Sequence, residues 1–353
     1  MGIESSCDET AAAVVSGRGA SERAPHLLSS VVASQVALHR PFGGIVPELA
    51  SRSHIRFVTE VVAEALRKAR LDLDDIDVVA ATAGPGLPGS LLVGLTFAKA
   101  LSWMARKPFV AVNHVEAHVY STFLAAPDLR PPLLALVASG GHTDLIRMPR
   151  PGAFTVIGRT RDDAAGEAYD KVAKLLGLGY PGGPALERMA RKASRRHGLA
   201  AARGTPLPVA RMKDGSLDFS FSGLKTAVAN AAPRARSAAG LALGFQEAVI
   251  GALVGRAREA LRAQEALRGP KVRALVLAGG VAANGAIRKA FTALAVEAGV
   301  RLVLPPLPLC TDNAAMVACA GWYKARKHSF APLTAGAHAN WRAGEPLPRP
   351  EAR

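Results

Sequence analysis

The sequence predicts an α/β protein assembled from βαβ units. Three observations carry this: short apolar, β-rich runs alternate with helix-like stretches, glycine-rich turns stand at the ends of several runs, and the opening strand–turn–strand pattern recurs near Leu133. The recurrence points to an internal duplication.

The elements follow in order. Residues 2–3, the polar run 4–10 and residues 11–15 read as strand, turn and strand. A central strand usually runs about 5–6 residues, so the expected start of the first strand lies upstream of Met1. Residues 77–82 read as a buried strand and residues 84–89 as a Gly/Pro loop, followed by Ser90 as an N-cap and a helix over 91–104. A strand at 108–112 and a helix at 114–124 come next, and Pro131-Pro132 marks the boundary between halves. Residues 133–138 and 143–148 form a hairpin around Ser139-Gly140-Gly141. Beyond it, helices are expected at 163–176, 185–193, 245–263, 284–298 and 312–324, and strands at 272–277 and 301–304. Residues 181–184 read as a loop, and the Pro-, Gly- and Arg-rich tail 332–353 as a surface extension.

Bulk properties bound the function. At about 150 residues per domain, 353 residues suggest two domains, and 49% hydrophobic with 20% charged residues suits a globular chain. The mean hydropathy of +0.16 owes much to alanine. The most apolar stretch, 240–255, is interrupted by Gln246 and Glu247 and falls short of the ~20 residues of a membrane span. No basic region followed by an apolar run opens the chain, so no secretory signal is expected. Cys7, Cys310 and Cys319 form no C-x-x-C pair, which fits a reducing, cytoplasmic setting. The net charge of +16, from 44 basic and 28 acidic residues, favours a polyanionic partner. Nucleic acid is preferred over anionic lipid, although arginine-biased composition gives the same balance.

Several runs can carry chemistry. His114 and His118 stand at i and i+4, which puts both imidazoles on one helix face, where they can grip Zn²⁺ or Fe²⁺. Two ordinary helix histidines share that spacing. Asp312 is a candidate third ligand and equally a candidate helix N-cap. Glu116 lies between the histidines rather than directly after the first, so the pattern is not that of a zinc protease. Ser139-Gly140-Gly141-His142-Thr143 offers backbone N–H groups and hydroxyls to an anion, and Gly279-Gly280 through Asn284 forms a strand-to-helix turn that can admit a nucleotide. Glu4-Ser5-Ser6-Cys7-Asp8-Glu9-Thr10 is too polar for a plain hairpin and suggests a phosphate or metal–phosphate site. Cys7 reads as a small buried residue. Arg188, Arg191, Lys192, Arg195, Arg196, His197, Arg203 and Arg211 form the basic cluster favoured as an RNA-facing surface. Clusters at 256–273 and 324–328 read as solvated faces.

Taken together, these runs resemble one family. The Glu4–Thr10 run, Gly43-Gly44-Ile45-Val46-Pro47-Glu48-Leu49-Ala50-Ser51-Arg52, Thr82-Ala83-Gly84-Pro85-Gly86-Leu87, Asn113-His114-Val115-Glu116-Ala117-His118, Ser139–Thr143, the acidic run from Asp162 to Lys171, Tyr180–Pro184, Phe219–Thr226 and Cys310-Thr311-Asp312-Asn313 are similar to the ordered motifs of the TsaD (formerly Gcp) family. The resemblance spans residues 2 to about 341. It implies an ASKHA (actin-like, sugar-kinase-like) fold of two related lobes with the site between them: residues 1–112 with about 325–353, and 113–324. It implies transfer of threonylcarbamoyl from threonylcarbamoyl-adenylate to N6 of the adenosine at position 37 of tRNAs reading ANN codons. It implies one divalent metal, Fe²⁺ with Zn²⁺ as the alternative, on His114, His118 and Asp312. It implies a substrate site of Val137, Ala138, Ser139, Gly140, Gly141, Asp170, Gly183 and Asn284, and a place near the phosphates for the turn that holds Asp8 and Glu9; either acid is a candidate for proton transfer, and spacing does not choose between them. Implied partners are tRNA and the proteins TsaB and TsaE, with no membrane. A small-molecule kinase of the same fold, a metalloprotease and a non-catalytic scaffold are the rival readings. The first and last need no His–x₃–His pair, and the second lacks its water-activating glutamate.

Overall fold

A computed structural model describes residues 1–17, 24–196, 205–210, 212, 214–235, 237–266 and 271–349. Two five-stranded sheets form its frame. The first comprises β1 (Gly2–Glu4), β2 (Glu9–Ser16), β3 (His26–Ser34), β4 (Val79–Gly84) and β5 (Phe109–Asn113), in the order β3-β2-β1-β4-β5. The second comprises β6 (Leu133–Ala138), β7 (Thr143–Arg150), β8 (Ala153–Arg159), β9 (Ala274–Ala278) and β10 (Arg301–Val303), in the order β8-β7-β6-β9-β10. In each sheet the leading strand pairs antiparallel with the second and parallel with the fourth. The duplication read from the chain's opening is therefore a duplication of topology.

The central strands are buried on both faces, so they are near-continuous apolar runs. β6 shows why: Leu134, Leu136 and Ala138 enter one core while Leu133, Ala135 and Val137 enter another, the period of two of an extended chain.

The helices are α1 (Val36–His39), α2 (Pro47–Ala69), α3 (Pro88–Met104), α4 (His114–Ala125), α5 (Ala165–Leu175), α6 (Gly182–Arg196), α7 (Ser222–Ala231), α8 (Ala238–Ala266), α9 (Gly285–Glu297) and α10 (Ala314–Ala325). α3 starts at Pro88, whose missing N–H costs nothing in a first helical turn. Ser90 is thus not its cap. It lies buried inside the helix, and its carbonyl accepts from Ser5 Oγ at 2.7 Å. Gly182 and Gly183, read as loop, form the first turn of α6. The strands β3 and β8 and the helices α2 and α7 were not assigned from sequence. α8 is longer than expected. Its Ala238–Ala263 portion is long and apolar enough by composition to cross a membrane, and 61% of its most apolar window is buried, as suits a core helix.

The helices α4 and α10 pack on each other between the sheets. α10, which the sequence division places in the second lobe, lies against β1, β2 and β4, while α4 also touches β5, β6 and β9. The tail is not the surface extension its composition suggests. His338 N donates to Ala83 O at 2.7 Å, Gly86 N to Ala339 O at 3.2 Å, and Trp341 is 3% exposed.

Candidate metal centre

Each ligand is delivered by a helix start. Asn113 caps α4, accepting from the backbone N–H groups of Val115 and Glu116. His114 and His118 then fall on one face, with ring centroids 4.8 Å apart. At α10 the cap is Asn313, which accepts from Met316 N at 3.1 Å. Asp312 is thereby released from the capping role that its position allowed. Its Oδ1 lies 3.1 Å from His118 Nε2 and 3.5 Å from His114 Nε2.

This arrangement fits a cation. For bonds near 2.1 Å, tetrahedral ligand atoms stand about 3.4 Å apart, and the separations from Asp312 bracket that value. Two imidazoles and one carboxylate are also a common donor set for Zn²⁺ or Fe²⁺. His114, His118 and Asp312 offer their ligand atoms within 4.8 Å of one another.

The electrostatics agree. Burial would raise the Asp312 pKa, but the adjoining histidines hold it well below the usual carboxylate range. Burial would lower the His114 pKa, but Asp312 and Glu4 raise it well above that of a free imidazole. His142, whose ring lies 6.1 Å from that of His114, is pushed down to about 3 by burial and by the two histidines, so it is neutral.

The polar turn between β1 and β2 closes over this centre. Burial, then Asp8 and Asp312, push Glu9 well above an ordinary carboxylate. Burial and Asp8 likewise raise the Cys7 thiol, which argues against a nucleophilic thiolate. Across the lobes, Tyr180 Oη donates to Asp8 Oδ2 at 3.5 Å. Sequence reading missed Tyr180, and it missed Glu4 as an individual, although both stood in motifs it had singled out.

The expected substrate residues divide into groups. Gly140 and Gly141 are exposed, and a Cβ on either would meet nothing within 4 Å. The turn is held by Ser139 N donating to His142 O at 2.8 Å and by His142 N donating to Ser139 Oγ at 3.2 Å. Gly183 is similarly open, and Asp170 accepts from Gly182 N at 2.7 Å. Val137 and Ala138 are fully buried in β6, so their side chains face the cores. Asn284 is also committed: its oxygen caps α9 and its amide donates to Gln246 at 3.1 Å.

Glu116 turns away from the metal ligands, accepting from Gly344 N at 2.9 Å. In the basic cluster, Arg188, Arg191 and Lys192 lie on α6, with Arg191 paired to Glu187 at 3.1 Å. His197, Arg203 and Arg211 lie outside the described residues.

A duplicated actin-like frame with a His–His–Asp centre at the lobe junction defines the class, an ASKHA-fold protein. Full-length HypF in its phosphate- and nucleotide-bound form shares that fold, with a TM-score of 0.56 at 14% identity over 92% of this chain and 56% of HypF. A model of the TsaD family, tRNA N6-adenosine threonylcarbamoyltransferase, matches residues 26–319. Relatives bearing that name include one from Symbiobacterium thermophilum, 51% identical over 92% of this chain and 90% of its own length. Another, from Moorella thermoacetica, is 47% identical over 96% of this chain and 95% of its own. The chain belongs to the TsaD family and is a transferase.

Proposed function

We propose that the chain transfers threonylcarbamoyl from threonylcarbamoyl-adenylate to N6 of the adenosine at position 37 of tRNAs reading ANN codons, releasing AMP. The observation that carries this is the meeting of His114, His118 and Asp312 beside the open Gly140–Gly141 turn, in a chain of this family. In the reaction the N6 nitrogen attacks the carbamoyl carbon and loses a proton. The bond from that carbon to the phosphate oxygen breaks, and AMP leaves with the electron pair.

His114, His118 and Asp312 would hold one divalent ion, Fe²⁺ or Zn²⁺, which when bound supplies Lewis-acid polarisation or anchoring of the acyl oxygens. The Ser139–Gly141 backbone would hold the phosphate or threonyl end, a reading supported by the open space above its glycines among the described residues. Asp170 organises the start of α6, whose Gly183 leaves room for the nucleotide. Asn284 shapes the adenosine end through the α9 start that it caps. Glu9, which retains its proton to higher pH than an ordinary carboxylate, is suited to donate one, and Asp8 beside it is the other candidate for proton transfer. Orientation of the weak amine against the activated carbonyl supplies much of the rate. The remaining basic face of α6 suits tRNA, and TsaB and TsaE complete the reading as partners.

The rival readings fare worse. A protease needs a carboxylate over the metal ligands, and Glu116 is engaged with Gly344 and Lys324 instead. The test is incubation with labelled threonylcarbamoyl-adenylate, TsaB, TsaE and unmodified tRNA, followed by nucleoside analysis. Modified adenosine is expected from the wild type and none from H114A/H118A. Full transfer by a double variant that binds no metal would refute the assignment.

A further inference from the structure

We infer that Glu4 is a positioning residue for the metal centre: its buried carboxylate fixes the tautomer of His114 that presents Nε2 to Asp312. The inference deepens the proposed function and rests on its reading of the metal ligands.

Glu4 ends β1 and is fully buried. Its Oε1 accepts from Ser6 N at 2.6 Å. Its Oε2 accepts from Thr82 Oγ1 at 2.8 Å and stands 3.0 Å from His114 Nδ1. A carboxylate only accepts, so the imidazole hydrogen belongs on Nδ1 and donates to Glu4. His114 Nε2 is thereby aimed at Asp312 Oδ1, 3.5 Å away. A divalent cation bound there would displace the proton that Nε2 otherwise holds toward this carboxylate, because a metal-bound imidazole is neutral. The carboxylate–histidine–metal relay is a general device for aiming an imidazole ligand.

His118 lacks this device. Its Nδ1 is buried without a hydrogen-bond partner among the described residues. The two histidines are therefore unequal: His114 is aimed by the first-lobe turn, whereas His118 is held by packing on α4. This gives a purpose to the first acid of the Glu4–Thr10 run, which neither the ligand set nor the proton-transfer candidates explain.

The test is E4Q. Ser6 N–H requires an acceptor at the Oε1 position, so the Gln amide nitrogen takes the Oε2 position and points hydrogens at His114 Nδ1. The tautomer with its hydrogen on Nε2 is then favoured, leaving Ser6 Oγ, 3.1 Å from Nδ1, as the other group an Nδ1 hydrogen could reach, and the lone pair at the ligand position is lost. With the metal-stripped full chain and Zn²⁺ alone as probe, competition with a chromophoric chelator is expected to show a roughly 10–100-fold loss of affinity. Nitrogen NMR of labelled histidine should place the His114 hydrogen on Nε2, while the melting temperature of the stripped protein stays near wild type. T82V removes a donor to the same carboxylate but leaves the carboxylate, and should lose far less affinity. Unchanged Zn²⁺ affinity in folded E4Q would overturn the inference. Should E4Q fold poorly, the Zn²⁺-loaded wild type decides: ligation of His114 through Nδ1 instead of Nε2 would overturn it equally. A wild-type chain that takes up no Zn²⁺ would sink the ligand assignment itself, and this inference with it.

Discussion

The two lobes share one strand order, yet their corresponding turns hold opposite contents. In the first lobe the turn after the leading strand, residues 5–8, carries Ser5, Ser6 and Asp8 with Glu9 directly after it, and Glu4 at its root reaches His114. In the second lobe the same place, residues 139–142, is closed on itself and topped by two exposed glycines. The loops after the fourth strands differ in the same sense. A Cβ on Gly84 would lie 2.0 Å from His338 O and one on Gly86 2.6 Å from Ser6 O, so the chain's own tail and turn fill that space. In the second lobe a Cβ on Gly279 would be tight only against the neighbouring strand, 2.3 Å from Ala138 O, and one on Gly280 would meet nothing within 4 Å. A duplicated frame offers two equivalent mouths; here one is plugged and wired to the metal ligands, while the other stays open.

The comparison can be broken most forcefully at the plug. W341A removes a nearly fully buried indole over which Lys324 sits at 5.2 Å, and whose backbone oxygen accepts from the α4 cap Asn113. Loss of about 3–5 kcal/mol in denaturant unfolding is expected, with weaker Zn²⁺ uptake because the α4 cap loosens. A small loss would mean that the tail merely decorates the first lobe. Next in size is a matched pair of glycine substitutions. G84A forces a Cβ into backbone and should cost about 3 kcal/mol. G140A meets open space and should leave stability within about 0.5 kcal/mol while raising the KM for the acyl-adenylate. Equal stability losses in the pair would erase the distinction between plugged and open mouths.

A subtler effect concerns Asp144 on β7, directly beyond the open turn. Burial raises its pKa to about 6, against the opposing pull of Arg159. Below about pH 4 the carboxyl is protonated folded or unfolded and has no effect on stability. Between about pH 4 and 6 the unfolded chain ionises while the folded state resists, so stability falls across that window and levels off above it. D144N should therefore raise stability at pH 8 by about 3 kcal/mol and change it far less at pH 4. A gain at pH 4 as large as at pH 8 would show that Asp144 acts through packing instead.

Much of this was legible in the chain. Periodicity located both central parallel strands and most of the helices, because buried strands must be continuously apolar and helices must repeat near every fourth residue. The His114–His118 spacing and the Gly140–Gly141 turn were legible for the same reason: both are local geometry. The strands β3 and β8 were not, since one face of β3 is exposed and its pattern is mixed. The tail misled, because Pro-, Gly- and Arg-rich composition says nothing of a groove waiting to receive it.

By itself, then, the sequence determined the local elements, the paired histidines and the two glycine turns, all of which depend on neighbours within a few residues. Only the tertiary structure decided that Asn313 rather than Asp312 caps α10, that Glu4 meets His114 from 110 residues away, and that one mouth is plugged by the tail. Those outcomes depend on contacts between segments remote in the chain, which no local periodicity encodes.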